Sequence, residues 1–246
     1  MDDGTPAILL FSCDDIEDWE YLGVWLTGAD LPPGAGPADV WECPQLAVAG
    51  DRAALVLSLH DGGVLGDVVA CTGRLVDDGG LPRLEPEQVT VLDAGEALYA
   101  PQLAEDGRPG WWLMGWVREL DQDAAVKDHA GCMTLPRRLL LDGADARLTL
   151  DPAVADGLEL GPPAPGEGRL HGAASVLVGP GGAELGHAEL GRHPLSAGTR
   201  VFVDGDVLEV YPPDSAPSTF RHELPWSVHG DVLSSPVRLR PRTSTC

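Results

Sequence analysis

Positive charge is scarce in this chain. Sixteen lysines and arginines stand against 39 aspartates and glutamates, for a net charge of −23, and Lys127 is the only lysine. Nucleic acids and anionic membrane surfaces are recognised through a basic footprint, so this balance argues against both as partners. The acidity itself reads as solubility. The lone lysine excludes a phosphate-cradling Gly-x-x-x-x-Gly-Lys-Ser/Thr loop, and there is no Gly-x-Ser-x-Gly elbow. The seven histidines, His60, His129, His171, His187, His193, His222 and His229, show no metal-ligand spacing and read as surface-loop residues. No apolar run approaches the roughly 18 residues of a membrane-spanning helix. The opening Met1-Asp2-Asp3-Gly4 has neither the basic nor the apolar region of a signal peptide. Five cysteines, Cys13, Cys43, Cys71, Cys132 and Cys246, are an odd number with no Cys-x-x-Cys. That fits neither a disulfide scaffold nor a zinc site, and reduced thiols in a cytoplasm are the expectation.

What the chain has is turns and short apolar runs. Of its 246 residues, 31 are glycine and 22 proline, while 43% are hydrophobic, enough for a real core. Residues 7–13 (AILLFSC), 53–59 (AALVLSL), 68–72, 88–92 (QVTVL) and 111–117 (WWLMGWV) read as strands. Breakers rich in Gly, Asp and Pro separate them at 32–37, 61–63, 77–80 and 105–110. Strands so spaced, without amphipathic helices between them, predict an antiparallel all-β architecture. One polar surface helix is expected over residues 121–130 (DQDAAVKDHA). The stretch 162–168 (PPAPGEG) has linker composition and separates a first domain, 1–161, from a second, 165–246. In the second, residues 173–178, 199–203, 207–211 and 237–239 read as strands, with Asp204-Gly205 as a hairpin turn. That unit is expected to be a β-sandwich or part of one.

Three stretches bear carboxylates that chemistry can use. In Val40-Trp41-Glu42-Cys43-Pro44-Gln45-Leu46, a glutamate sits among apolar neighbours at a strand edge. An apolar setting favours the protonated form of a carboxyl, the form a general acid needs. The competing reading is a glutamate capping the loop before Pro44. In residues 92–102, Asp93 and Gly95 read first as a turn. In residues 12–23, an Asp-rich turn followed by Trp19 reads as a hairpin whose aromatic packs inside the structure.

Together these stretches resemble glycoside hydrolase family 32, the invertases, levanases and inulinases. Residues 12–23 are similar to the family's Ser-x-Asp-Leu-x-x-Trp-x-x-x-Gly segment, and 39–46 (DVWECPQL) to the stretch around its acid/base Glu-Cys pair. Residues 92–102 are similar to Leu-Asp-x-Gly-x-Asp-Phe-Tyr-Ala-x-Gln. Residues 113–117 (LMGWV), 133–138 (MTLPRR) and 201–211 (VFVDGDVLEVY) follow in the family's order. The resemblance implies a partial five-bladed β-propeller followed by a β-sandwich, and a retaining hydrolase of β-fructosidic bonds. Glu42 matches the acid/base. Trp41, Cys43, Tyr99 and Gln102 match residues near the sugar. A small carbohydrate, sucrose or a fructan, is the implied partner, and the chemistry needs no metal or organic cofactor.

Two departures accompany the resemblance. Ala97-Leu98 stands where the family has Asp-Phe, which weakens the expectation of sugar contacts there. The chain contains no asparagine, and its only Asp-Pro is Asp151-Pro152, so the family's nucleophile motif Asn-Asp-Pro and its Arg-Asp-Pro are not in these residues. The expectation is an N-terminally truncated gene fragment or a decayed relative, with the inactive remnant or carbohydrate-binding fragment as the alternative to catalysis.

Overall fold

The structure, a computed structural model, describes residues 4–119, 131–170, 172–222 and 225–239. The helix expected over 121–130 lies outside them, as do Lys127, His129, His171 and Cys246. Nearly every described element is a strand, and the protein is all-β. The chain forms two compact units. One comprises Met1–Asp93, Tyr99–Gly115 and Arg138–Leu148; the other comprises Ala94–Leu98, Trp116–Arg137 and Thr149–Cys246.

The first unit opens with a hairpin, β1 (Ala7–Asp15) and β2 (Asp18–Thr27). Its turn falls in the Asp-rich stretch read as a hairpin. Trp19, expected to be packed, is instead 60% exposed. Cross-strand pairs place Leu9 against Val24, Phe11 against Tyr21 and Cys13 against Trp19, and all six are exposed. The reason is the pleat: a strand turns alternate residues to opposite faces. Only the other face, with Ile8 and Leu26, meets the core of the unit.

An antiparallel meander follows in chain order: β3 (Val40–Ala49), β4 (Arg52–Asp61), β5 (Val64–Asp78) and β6 (Leu81–Val91). The run Ala53–Leu59 of β4, apolar but for Ser58, is buried on both faces, as suits a central strand. Leu55, Leu57 and Leu59 join Trp41, Val69, Cys71 and Leu84 in one cluster. Burial pushes the Cys71 thiol up to about 12, so it serves as a small apolar side chain. The turn Gly62-Gly63 between β4 and β5 has φ of 55° and 88°, a geometry glycine adopts without strain at both central positions.

The next sheet contains β7 (Leu98–Ala104), β8 (Trp111–Val117), β9 (Cys132–Met133), β10 (Arg137–Asp142) and β11 (Asp145–Leu150). Its order is β11-β10-β8-β7, with β9 also on β8. Asp106, in the turn from β7 to β8, accepts from Arg138 Nη2 at 2.7 Å and from Arg108 Nε at 2.7 Å.

In the second unit, Asp151 caps helix α1 (Pro152–Gly157): its Oδ1 accepts from Ala153 N at 2.8 Å, and Pro152 stands where a missing N–H is harmless. The chain's one Asp-Pro is therefore a helix start. The strands here are β12 (Leu158–Leu160), β13 (Ala164–Pro165), β14 (Gly168–Arg169), β15 (Ala173–His187), β16 (Gly191–Leu195), β17 (Arg200–Asp204), β18 (Val207–Tyr211), β19 (Ser218–Arg221) and β20 (Ser227–Leu239). The sheet runs β12-β20-β15-β17-β18-β19, with β13 and β14 also on β20 and β16 on β15. Within the Pro/Gly-rich stretch 162–168, Ala164, Pro165 and Gly168 thus pair with β20. β17 and β18 form the hairpin expected around Asp204-Gly205. Gly95 lies so close to the β19 backbone that a Cβ would fall 2.2 Å from the Thr219 carbonyl oxygen, which excludes any other residue there.

Arg137 is fully buried in this unit. Its Nη2 donates to Glu209 Oε2 at 2.7 Å and to Thr219 Oγ1 at 2.6 Å, and its Nε donates to the Tyr211 hydroxyl at 3.1 Å. Glu209 also accepts from Leu135 N at 2.8 Å. Burial holds the Tyr211 phenol well above its ordinary range.

Two outcomes are expected. Arg137→Ala leaves Glu209 buried without its cation and should lower unfolding stability by about 3–5 kcal/mol. Arg137→Met with Glu209→Leu should lose much less, as a urea-denaturation double-mutant cycle will measure. Arg138 and Arg108 hold the Asp106 carboxyl well below the usual carboxylate range. A depressed folded-state value gives stability that is present above the unfolded value, near 4, and lost as pH falls through the folded one. Asp106→Asn should therefore be less stable than the parent at neutral pH, with the gap closing below about pH 4 in acid denaturation series.

Candidate active site

β3 and β7 bring Glu42 and Tyr99 together. Tyr99 is buried, and its hydroxyl lies 2.8 Å from Glu42 Oε2 and 3.0 Å from the Leu59 carbonyl oxygen. Glu42 is half-buried and pairs with Ser58 across β3 and β4. The tyrosine hydroxyl has a single proton for two acceptors. With Glu42 ionised, that proton is divided between carboxylate and carbonyl. With Glu42 protonated, its own O–H donates to the Tyr99 oxygen, and Tyr99 donates to Leu59; each of the two O–H donors then has its own acceptor. The arrangement accommodates both forms of the carboxyl, which is the requirement for a group that gives up a proton and takes it back.

The other predicted site residues fall differently. Trp41 does not share the Glu42 face: successive strand residues face opposite sides, so Trp41 packs with Leu55, Leu57 and Leu59. Its edge borders a shallow cleft formed with residues 4–6, 28, 29 and 35–38. Cys43, half-exposed, follows Glu42 with φ of 49°. Gln102 is exposed, and its Nε2 donates to the Pro101 carbonyl at 3.1 Å. Ala97 and Leu98 are buried, so the positions that differ from the family pattern are packing positions. Two histidines read as surface residues are in fact buried: the His187 ring lies tilted against that of Trp226, centroids 4.6 Å apart, and His222 Nε2 lies 2.7 Å from Glu96 Oε1 in the second unit.

One residue beside Glu42 was missed. Ser58 is fully buried, and its Oγ accepts from Ala100 N at 3.1 Å, tying β7 to β4 beside Glu42. The signal for it was a lone polar residue inside the apolar run of β4. Tyr99→Phe removes the hydroxyl from the Leu59 carbonyl and from Glu42. It should cost about 1–3 kcal/mol of stability by leaving a buried acceptor unsatisfied, to be read from urea unfolding of the two proteins side by side.

Comparisons with known proteins add to this geometry. The model of the glycosyl hydrolases family 32 N-terminal domain matches residues 1–152. A sucrose-6-phosphate hydrolase of Bacillus subtilis is 34% identical over 145 residues, 55% of this chain and 30% of the relative's length. The chain thus spans less than a third of that relative. Among solved structures, a family 32 glycoside hydrolase of Bifidobacterium adolescentis superposes with a TM-score of 0.67 at 18% identity, covering 96% of this chain and 47% of the other. A Bombyx mori family 32 β-fructofuranosidase variant, solved in complex with sucrose, superposes with a TM-score of 0.67 at 19% identity over 95% of this chain and 60% of the other.

Proposed function

The chain belongs to glycosyl hydrolase family 32, and from that premise we propose that it carries the acid/base part of a retaining β-fructosidase, with Glu42 as the proton donor and sucrose or a fructan as substrate. The observation that carries this reading is the Glu42–Tyr99 hydrogen bond: a half-buried carboxyl held by a neutral partner that serves either of its protonation states. The sucrose complex of the Bombyx mori relative supports a small carbohydrate as ligand. The antiparallel meanders are read as blades of a partial five-bladed propeller within residues 1–161, and residues 165–246 as the β-sandwich.

In this reading Glu42 gives its proton to the glycosidic oxygen as the bond from that oxygen to the fructosyl anomeric carbon breaks. A second carboxylate, about 5–5.5 Å away, attacks that carbon. Glu42, now ionised, then takes a proton from the water that displaces the second carboxylate. These 246 residues contain no asparagine and hence no Asn-Asp-Pro, so the attacking carboxylate of the family motif is not among them. Trp41 enters the reading as support for β3 from within the core, and Cys43, Tyr99 and Gln102 as the surroundings of the carboxyl and sugar.

The experiment has two arms. The chain alone should release little or no fructose from sucrose. Joined to a relative's segment bearing Asn-Asp-Pro and Arg-Asp-Pro, it should become active. In the joined protein Glu42→Gln keeps the shape but donates no proton, and turnover on sucrose should fall about 10²–10⁴-fold. Activated aryl fructosides, whose leaving groups need no protonation, should be affected much less. Equal loss on both substrates would remove Glu42 from the acid's role.

A further inference from the structure

Among the described residues, only two that are not glycine have a positive φ: Cys43 at 49° and Ala100 at 45°. Each directly follows one member of the Glu42–Tyr99 hydrogen bond. Each also directly precedes a proline, so the local sequences are Glu42-Cys43-Pro44-Gln45 and Tyr99-Ala100-Pro101-Gln102. The likeness extends to the bonds. Gln45 Nε2 donates to the Pro44 carbonyl at 3.0 Å, and Gln102 Nε2 donates to the Pro101 carbonyl at 3.1 Å. One short motif, a small residue then Pro-Gln, thus occurs twice, once on β3 and once on β7, with the same backbone turn and the same side-chain bond.

Left-handed backbone is costly for a residue with a Cβ, and a residue before proline is pushed towards extended conformations. Two such residues persist only where their surroundings hold them. On β3 the turn is a bulge: pairing passes from Glu42↔Ser58 to Gln45↔Val56, so Cys43 and Pro44 together oppose Leu57 alone. Pro44 has no N–H for this break in the ladder to orphan. On β7 the N–H of Ala100 is taken by Ser58 Oγ at 3.1 Å. Leu103 N lies 3.4 Å from Gln45 Oε1, linking the second copy of the motif to the first.

We propose that Cys43 and Ala100 are positioning residues: their left-handed backbone, repeated in the two motifs, re-aims the preceding side chain on each strand so that Glu42 and Tyr99 meet. A regular strand offers a side chain only two directions, and a bulge beside a functional residue is a way to obtain a third. Strain of this kind concentrates where geometry has a task. The proposal gives Glu42 the role assigned to it above, but the geometric claim stands apart from that role and is tested without substrate.

The chain has three tyrosines, Tyr21, Tyr99 and Tyr211, so protein labelled with carbon-13 at the tyrosine ring carbon bearing the hydroxyl gives three resonances. Tyr99→Phe assigns the Tyr99 line, and Glu42→Ala marks where that line lies without its carboxylate partner. Asparagine and valine are similar in size, but asparagine tolerates left-handed backbone and a β-branched residue does not. Cys43→Asn, Cys43→Gly and Ala100→Asn should leave the Tyr99 line in place and be at least as stable as the parent. Cys43→Val and Ala100→Val should move the line most of the way to its Glu42→Ala position and shift the unfolding equilibrium measurably towards unfolding, because a β-branched residue is strained further in left-handed backbone than the parent cysteine or alanine. The Tyr21 and Tyr211 lines should not move in any folded variant. Folded valine variants with an unmoved Tyr99 line would show that the strain aims nothing, and would overturn the proposal. Should the valine variants not fold, the asparagine and glycine variants decide: a displaced Tyr99 line, or lower stability than the parent, overturns it equally. These readouts report the hydrogen bond itself, so a positive result combined with an inactive joined enzyme would count against the fructosidase reading alone.

Discussion

A hydroxyl group has one proton, and in the first unit the proton of Tyr99 is asked for by both the Glu42 carboxylate and the Leu59 carbonyl. To be in reach of both, Tyr99 must leave the regular course of β7, and Glu42 that of β3. The bulge at Cys43-Pro44, the turn at Ala100 and the burial of Ser58 are arranged around that meeting. The site therefore depends less on which side chains are present than on two short breaks in otherwise regular strands. Those breaks are stable because the flanking meander is dense: β4 is buried along nearly its whole length and gives the distortions a rigid wall.

The scarcity of positive charge has a counterpart inside the protein. With so few cations available, several are placed where they organise structure. Arg137 and Arg221 have side chains at most 1% exposed, paired with Glu209 and with Glu119 and Asp206 respectively. Arg138 gathers Asp106, and Arg52 meets Glu87 with two parallel bonds of 2.9 Å and 2.7 Å. The guanidinium is suited to this because its planar fork satisfies several acceptors at once. The acidic excess that reads as solubility in composition is, at these points, matched locally, and at Arg137 and Glu209 the matching takes place out of contact with water.

Much of the fold was legible. Apolar runs bounded by Gly, Asp and Pro became strands at 53–59, 88–91 and 111–117, and the Asp204-Gly205 turn became a hairpin. The ordered blocks around Glu42 and Tyr99 identified the family, which the family model then matched over residues 1–152. Less legible were features set by faces rather than by composition. Trp41 adjoins Glu42 in sequence yet packs in the core because a strand alternates its sides. Trp19 was expected inside and is exposed because only one face of its hairpin is covered. His187 and His222 lie beside polar residues or turn-formers in sequence, yet their burial is set by Trp226 and Glu96, which lie far off along the chain.

By itself the sequence determined which stretches are strands, where most of them turn, and that Glu42 is a carboxyl with apolar neighbours. Those properties follow from local alternation of apolar residues and from the backbone freedom of glycine and the restriction of proline, which act over a few residues. Tertiary structure decided that Glu42 meets Tyr99, 57 residues away, that Ser58 receives the Ala100 N–H, and that Cys43 and Ala100 hold left-handed backbone. The physical reason is that a hydrogen bond between distant segments, and the strain tolerated to make it, are set by how β3, β4 and β7 come together in space.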